Sequence, residues 1–393
     1  MLTGLIFATD DADDRPDMLA ATLRFGGVTL IEYQARLLIE AGAAQILVAV
    51  ARVTPGLLGA VNRIAKRGAA VDIVRSAAEA AAQLHPLARV LVVADGLVTS
   101  EAILSILAGE GAEALLVTGD ADALPGFERV DAASCWAGLA RLDPKRLGET
   151  AAMPGDYDFQ STLLRVAAQS GARRVALPTG TARQGHGIER DSRALGKRGR
   201  VVFAGLAASR PAWIDRYLFG PLARLLLPPI VEREIPDIGL LGGGIVAGGV
   251  AFALLYFDWV ASGLGVGMVA IALFALGGML SRIRGEERRE RLQERAIWAT
   301  AGGLCLLNGL SEDSFRGTVT GLVLAIGLVI AAALVERAAP LRLRRRWWGS
   351  PAAYPLLLAP FAAAGYTLAG LGAVAIYATA TLAAAIEGLR EKP

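Results

Sequence analysis

The first 200 residues alternate short apolar runs with stretches whose apolar residues recur at helical spacing. The short runs predict buried strands and lie at 5–8, 46–50, 71–74, 90–94 and 115–117. This alternation predicts a doubly wound α/β domain with a mainly parallel sheet. Ligands of such sheets bind at the carboxyl ends of the strands, so the loops after Ala8, Val50 and Ala94 are candidate binding loops.

The last 156 residues, 238–393, form a series of long apolar segments. The first 44 of them, 238–281, contain one charged side chain, Asp258. Apolar segments of about 20 residues predict helices that cross a membrane. They lie at 238–257, 263–281, 296–311, 317–335 and 351–387, and the last is long enough for two helices with a glycine turn between them. The pattern therefore predicts a domain of six transmembrane helices.

The loops between these segments differ in charge. Loop 282–295 contains six arginines and loop 336–350 contains five, whereas 258–262 contains none. Because cytoplasmic loops carry the excess of Lys and Arg, we expect an integral protein of the cytoplasmic membrane with both termini in the cytoplasm. Trp347 and Trp348, which follow three arginines, are typical of an anchor at the membrane surface.

The segment that joins the two halves is amphipathic. Within 213–227 apolar residues recur near one helical face, with Arg216 and Arg224 on the other. This pattern predicts a helix in the membrane interface, kinked at a proline and ended by Pro228 and Pro229. We therefore expect three parts: a cytosolic domain (1–200), a linker with the interfacial helix (201–237) and the membrane domain (238–393).

Composition limits the chemistry of the chain. Of its 393 residues, 54% are hydrophobic and 20% are charged, which excludes a wholly soluble protein. The net charge of +3 provides no basic surface for a nucleic acid, so no such partner is expected. Two cysteines and two histidines give little material for a disulfide framework or a zinc site. The predicted spans lack interior ionisable residues, which weighs against a proton-coupled transporter.

The loop after the first strand is acidic. Residues 10–17 include five aspartates and one arginine. Loops that bind phosphates use glycine amides and basic side chains, so this loop has the wrong charge for a triphosphate. We expect a solvated loop that caps the next helix, with a site for a metal or a basic partner as the alternative. Asp95, at the end of the fourth strand, is a candidate metal ligand.

Three N-terminal stretches resemble the nucleotidyltransferase fold of sugar-phosphate and polyol-phosphate cytidylyltransferases. They are Gly26–Tyr33, Leu38–Ala43 and Leu91–Gly96. The resemblance implies that Gly26, Gly27 and Asp95 bind a nucleotide, and that Asp95 ends the metal-binding strand. The aspartate loop 10–17 stands where that family has its glycine-rich phosphate loop, so the fold is expected without triphosphate binding.

The membrane half is similar to the CDP-alcohol phosphotransferases, which have six spans and an interfacial helix. The similarity lies at 214–217, 221–226, Gly278 and Arg282; the last two match the glycine and arginine of the family signature. Some members carry a fused cytidylyltransferase-like domain, which extends the resemblance to nearly the whole chain. The resemblance also implies a homodimer and, in an active enzyme, Mg²⁺.

The four signature aspartates are missing. Phe274, Gly277, Arg295 and Ala299 stand in their places. The family's chemistry needs these carboxylates to hold two divalent ions, so phosphotransfer at this site is not expected. The arginine-rich stretch 282–295 is then a partly self-paired helical extension, with a phosphate-binding site as the alternative.

These features predict a pseudoenzyme of phospholipid or polyol headgroup metabolism. It would contact membrane lipids and act as a non-catalytic scaffold or regulator of a membrane enzyme. A first alternative is an active headgroup transferase or nucleotidyltransferase with a rebuilt site, and a second is a small-molecule transporter. The carboxylates for a rebuilt site are the 10–17 loop, Asp95, Asp120, Asp122, Asp156 and Asp158.

Overall fold

The structure is a computed structural model, and it describes residues 1–154, 157–208, 212–233, 235–338, 345 and 347–390. The chain divides into two compact units, Met1–Val202 and Phe203–Pro393. The predicted fold class is confirmed, because an α/β domain precedes a domain of apolar helices.

The first unit contains all the described strands. They are β1 (Leu2–Ala8), β2 (Asp11–Ala12), β3 (Arg15–Leu19), β4 (Arg24–Phe25), β5 (Val28–Thr29), β6 (Ala43–Val50), β7 (Ala70–Val74), β8 (Arg89–Val93), β9 (Leu97–Val98), β10 (Ala114–Gly119), β11 (Glu128–Arg129), β12 (Ser134–Leu142), β13 (Arg173–Ala176) and β14 (Gly187–Ile188). The α-helices that begin in this unit are α1 (Leu30–Glu40), α2 (Pro55–Ala65), α3 (Ala77–Gln83), α4 (Glu101–Ala108), α5 (Pro144–Ala151), α6 (Phe159–Gln169) and α7 (Ser192–Ala208).

The main sheet has the strand order β13, β10, β12, β8, β1, β6 and β7 among the described residues, and β11 pairs with β12 at its side. The central strand β1 is buried along its whole length and is apolar except for Thr3, and it runs parallel to both β6 and β8. Such continuous burial is typical of a strand covered on both faces. β1 therefore forms the centre of the core.

The prediction of a mainly parallel sheet needs one correction. β12 runs antiparallel to both β8 and β10, so the sheet is mixed. The sequence pattern predicts no strand after 115–117, because β12 combines polar and apolar residues and contains Gly138 at φ +86°. A glycine inside a strand weakens the strand pattern and often marks a local irregularity.

The helix α1 begins at a capping box. The backbone N–H and the hydroxyl of Thr29 donate to the Glu32 carboxylate at 3.0 and 2.7 Å. The same buried carboxylate accepts hydrogen bonds from Arg63 of α2 at 2.8 and 3.0 Å. One side chain thus starts α1 and fixes it to α2.

The second unit is helical in its described residues. A π-helical turn (Asp215–Phe219) is followed by α8 (Gly220–Glu232), α9 (Asp237–Tyr256), α10 (Val260–Arg284), α11 (Glu287–Arg316), α12 (Thr320–Ala338), α13 (Ala353–Ala363) and α14 (Thr367–Arg390). In the described part of the chain, four helices are long and apolar enough to cross a membrane, namely α9, α10, α12 and α14. These helices make the second unit a membrane-associated domain.

Four of the six predicted spans are confirmed by the length and composition of the described helices. Each of the six predicted segments coincides largely with one helix, and the glycine turn separates α13 from α14 at Gly365, where φ is +78°. However, α13 has 11 residues, which is shorter than the bilayer core requires. The 30 residues of α11 include charged side chains near both ends, which lower its mean hydropathy.

The predicted interfacial helix also differs from expectation. Its turns widen to a π-helix directly before Pro221, at the place where a kink was expected. Such a π-turn is a known way to accommodate an irregularity in a helix. Pro228 and Pro229 do not end the helix, because α8 continues to Glu232 and the N–H of Arg233 donates to the carbonyl of Pro229 at 3.0 Å.

Candidate functional site

A cleft of about 370 Å³ opens at the carboxyl edge of the main sheet. Asp10 follows β1, Ala51 follows β6 and Arg75 follows β7, and all three line the cleft. α5 and α6 contribute the opposite wall through Thr150, Ala151, Phe159 and Thr162. The cleft therefore lies where a ligand of a parallel sheet is expected, and the loops after Ala8 and Val50 form part of it.

Two carboxylates, Asp10 and Asp158, line this cleft. Asp158 precedes α6, and its Oδ2 accepts a hydrogen bond from the N–H of Ser161 at 2.7 Å. Asp10 forms an ion pair of 2.5 Å with Arg190. Burial raises the pKa of Asp10, Arg190 opposes that rise, and the negative charge of Asp158 adds to it. The raised pKa of Asp10 is thus caused mainly by its burial.

The acidic segment after β1 is largely exposed, as predicted, but it forms the β2–β3 hairpin. It does not cap the next helix in the chain; Asp14 instead contacts the first residue of α7. Asp11 pairs with Arg52 at 2.6 Å, and Asp14 accepts the N–H of Ser192 at 3.1 Å. Arg52 thus neutralises the charge of Asp11, and the start of α7 provides a hydrogen-bond donor to Asp14. The sequence did not identify Arg52 and Arg190 as partners of the aspartates, because each is a single arginine without a motif around it.

Asp95 lies behind the cleft wall. Its side chain is buried, with the residue 1% exposed, and its Oδ2 accepts the N–H groups of Thr9 and Asp10 at 2.6 and 2.7 Å. Its own N–H donates to Gln160 at 2.9 Å. Burial raises the pKa of Asp95 to about 7. Asp95 thus joins the ends of β1 and β8, and its Oδ1 has no hydrogen-bond partner among the described residues.

Gly26 and Gly27 lie in the tight turn between β4 and β5. Their φ angles are +66° and +86°, a conformation that requires glycine or a residue tolerant of positive φ in a two-residue hairpin. Neither glycine lines the cleft. The structure brings Asp95 next to Asp10 but does not place the two glycines in the cleft, so their role in nucleotide binding stays a prediction.

The other candidate carboxylates do not gather at the cleft. Asp120 pairs with Arg129, and Asp122 is exposed in the turn that follows β10. Asp156 lies outside the described residues. Within the described ranges, no group of three or more His, Cys, Asp or Glu side chains is arranged to hold a metal ion.

The two signature residues of the membrane domain lie on α10. The position of a Cβ on Gly278 would be 3.6 Å from Cβ of Gln293 on α11. Arg282 is half-exposed, and its Nε is 4.0 Å from Glu290. Phe274 is 2% exposed and packs against Gly244 of α9. The structure therefore brings Gly278 and Arg282 close to α11, and the aromatic replacement is packed between helices.

A buried carboxylate that the sequence pattern missed lies beside them. Asp237 begins α9 with its side chain 1% exposed, and it accepts hydrogen bonds from Ser281 at 3.0 Å and Arg289 at 2.9 Å. Arg284 approaches the same carboxylate at 3.4 Å. The predicted apolar segment starts at residue 238, one position later. The sequence signal that could have identified Asp237 is an aspartate at the start of a predicted helix, where the helix dipole stabilises a negative charge.

Many solved structures match part of the chain. One example is described as a glucose-1-phosphate thymidylyltransferase from Bacillus anthracis in complex with sucrose. The TM-score is 0.36 with 10% sequence identity, and the match covers 45% of this chain and 87% of that chain. No protein-family model and no curated protein sequence matches the chain. Similarity at this level carries no conclusion about activity.

Proposed function

We propose that this protein is a non-catalytic membrane scaffold or regulator derived from the fused CDP-alcohol phosphotransferases. Its partner would be a membrane enzyme of phospholipid or polyol headgroup metabolism. The proposal rests on the residues that replace the family signature and on the contacts that the described residues form at that place. The α/β unit would be its cytosolic regulatory part.

The observation that carries the proposal is the packing around Asp237. Two arginines, Arg284 and Arg289, approach its carboxylate, which leaves it poorly suited to a divalent cation. A metal ion at the same carboxylate would have to displace Arg289 and tolerate the charge of Arg284. Phe274 stands where the family has a carboxylate. Its ring packs against Gly244 and offers no ligand atom to a metal ion. This arrangement favours a structural role over two-metal phosphotransfer.

The test uses the purified full-length chain in mild detergent. Titration with CTP and with CDP-diacylglycerol, with and without Mg²⁺, is expected to show no metal-dependent binding or turnover. An active CDP-alcohol phosphotransferase in the same detergent serves as the positive control. Metal-dependent binding or turnover would overturn the scaffold proposal. Co-purification from native membranes is expected to recover a membrane enzyme, and recovery of the chain alone would also count against it.

The cleft of the first unit favours a second candidate function, a nucleotidyltransferase with a rebuilt site. Asp10 and Asp158 both line this cleft at the carboxyl edge of the sheet. If this second function holds, CTP binding depends on Mg²⁺ and is lost in Asp158→Asn. Asp122→Asn, in an exposed turn outside the cleft lining, is the matched control.

The orientation of the second unit in the membrane is also part of this proposal. The arginine-rich turn between α10 and α11 would lie in the cytoplasm together with both termini, and the protein would form a homodimer among membrane lipids. Both cysteines, Cys135 and Cys305, are buried, so a cysteine introduced into a loop can be labelled selectively. Arg288→Cys is expected to react with a membrane-impermeant thiol reagent only after the cells are opened. Phe257→Cys is expected to react with the same reagent in intact cells as well.

A further inference from the structure

We propose that one face of α11 binds the headgroups of anionic phospholipids. Four exposed residues near the start of the helix form this face, namely Arg288, Leu292, Arg295 and Ala299. The inference rests on α11 crossing the membrane, as in the function proposed above, but not on the scaffold role. It can therefore fail while the scaffold role holds, and the reverse.

The four residues lie on one side of the helix because they are spaced by four, three and four positions. Leu292, between the two arginines, is 48% exposed. Gln293 and Thr300 lie on a different side and are 1% and 6% exposed. The side-chain amide of Gln293 donates to the carbonyl of Asp237 on α9 at 3.3 Å. The arginines therefore lie on the outer side of α11, away from its contact with α9.

Arg288 and Arg295 differ from the other arginines of 282–295 in their partners. Each of the others has a carboxylate within 4.0 Å: Arg282 has Glu290, Arg284 and Arg289 share Asp237, and Arg291 has Glu287. Among the described residues, Arg288 and Arg295 form no ion pair. Glu294 is turned by about 100° from Arg295 around the helix. Two exposed cations on one face thus lack a protein counter-ion.

The length of the uncharged part of α11 places these arginines at the membrane surface. Residues 296–311 carry no charge and extend over about 24 Å of helix. The hydrocarbon core of a bilayer is about 30 Å thick, so the charged residue next to this part is held at the boundary with the headgroups. Arg295 is that residue, and Arg288 lies about 10 Å farther along the axis. The two side chains therefore bracket the headgroup layer, which is about 5–8 Å deep.

The chemistry of this face fits a phospholipid better than a soluble phosphate. A guanidinium group binds phosphate oxygens through two parallel hydrogen bonds, so the two arginines suit a phosphate-containing headgroup. Leu292 and Ala299 offer apolar contact to the acyl chains of the same molecule. A soluble phosphate would use the arginines alone. Each basic residue near an anionic membrane surface strengthens binding about fivefold.

Native mass spectrometry of the full-length protein in mixed micelles tests the proposal. Dioleoyl-phosphatidylglycerol is the anionic probe, dioleoyl-phosphatidylcholine is the zwitterionic lipid with the same acyl chains, and glycerol 3-phosphate is the soluble headgroup. Phosphatidylglycerol is expected to bind at least about tenfold more tightly than phosphatidylcholine, and glycerol 3-phosphate is expected not to displace it. Equal binding of the two lipids, or displacement by glycerol 3-phosphate, would overturn the proposal.

Two double variants locate the site. Arg288→Gln with Arg295→Gln is expected to weaken phosphatidylglycerol binding at least about tenfold. Arg288→Lys with Arg295→Lys keeps both charges and should retain most of the binding, which separates loss of charge from a fault in folding. Arg165→Gln with Arg193→Gln removes two exposed arginines of the first unit and is the charge-matched control, which should bind like the natural protein.

Unchanged binding in the glutamine variant, or an equal loss in the control, would show that the lipid binds elsewhere. The same spectra report the oligomeric state. If the glutamine variant changes from a dimer to a monomer while its lipid binding stays the same, a second copy of the chain covers this face and the proposal is wrong.

Discussion

Phe274 of α10 occupies the space that any side chain on Gly244 of α9 would need. A Cβ on Gly244 would lie 2.4 Å from Cε1 of the Phe274 ring, well inside the contact distance of two carbon atoms. The phenylalanine is 2% exposed, so its ring has little room to move away. The close approach of α9 and α10 therefore depends on this pair of a small and a large residue.

The first prediction tests this pair with two glycines of the same helix. Gly244→Ala is expected to destabilise the protein by about 1–3 kcal/mol, because the added methyl group overpacks the contact with Phe274. Gly249→Ala is the matched control, since a Cβ there meets no atom within 4 Å. Thermal unfolding in detergent measures both.

A compensating variant makes this test stricter. Phe274→Leu removes ring atoms, so Gly244→Ala is expected to cost less in that background than in the natural chain. Equal losses at Gly244 and Gly249, or no compensation by leucine, would contradict the packing described.

The second prediction concerns the buried carboxylate of Asp237. Asp237→Ala is expected to cost about 3–5 kcal/mol, because Arg284 loses a buried partner and Arg289 loses its shorter ion pair. Asp258→Asn is the control, since that aspartate is exposed and binds Ser311 at 2.5 Å. Its expected effect is below about 1 kcal/mol. Denaturant titration in mixed micelles measures the difference, and similar effects of the two variants would contradict a buried ion cluster.

Much of the architecture could be predicted from the sequence because burial leaves a direct pattern. β1 is apolar except for Thr3 and is buried between two parallel neighbours. The long apolar segments likewise lie in helices. β12 could not be predicted, because its place between β8 and β10 depends on distant pairing partners that local periodicity does not encode.

The sites were less predictable than the elements. Asp95 was expected at a strand end, which is correct, but its hydrogen bonds to the amides of Thr9 and Asp10 depend on the side-chain direction. The contact between Phe274 and Gly244 was also beyond the sequence. Apolar residues surround both helices, so no amphipathic face indicates which side meets a neighbour.

The third prediction concerns the start of α12. The carboxylate of Asp313 accepts the N–H groups of Gly321 and Leu322 at 2.8 and 2.7 Å, and the hydroxyl of Thr318 at 2.9 Å. Asp313→Ala leaves these donors unpaired and is expected to cost about 1–2 kcal/mol. Hydrogen exchange should become faster at residues 318–324. Glu312→Ala, which removes an ion pair within one helix, is the control and should leave that exchange unchanged.

The fourth prediction concerns the pH dependence of the first unit. Burial raises the pKa of Asp95 to about 7 from an ordinary value of 3.8, so the folded protein keeps this proton at a pH where the unfolded chain has released it. The folded state then binds more protons than the unfolded state between about pH 4 and 7. The free energy of unfolding contributed by Asp95 therefore falls as the pH rises through this window.

Asp95→Asn tests this linkage, because an amide oxygen can still accept the N–H groups of Thr9 and Asp10 but carries no titrating proton. Hydrogen exchange of β1 is measured in the variant and the natural protein at each pH, and the ratio of the two rates cancels the intrinsic effect of pH. The variant is expected to become the better protected of the two as the pH rises from 4 to 7. Asp10 also titrates with a raised pKa, so Asp10→Asn serves as the control that separates its contribution. A ratio that stays constant in Asp95→Asn would show that Asp95 is not the group that carries the pH dependence.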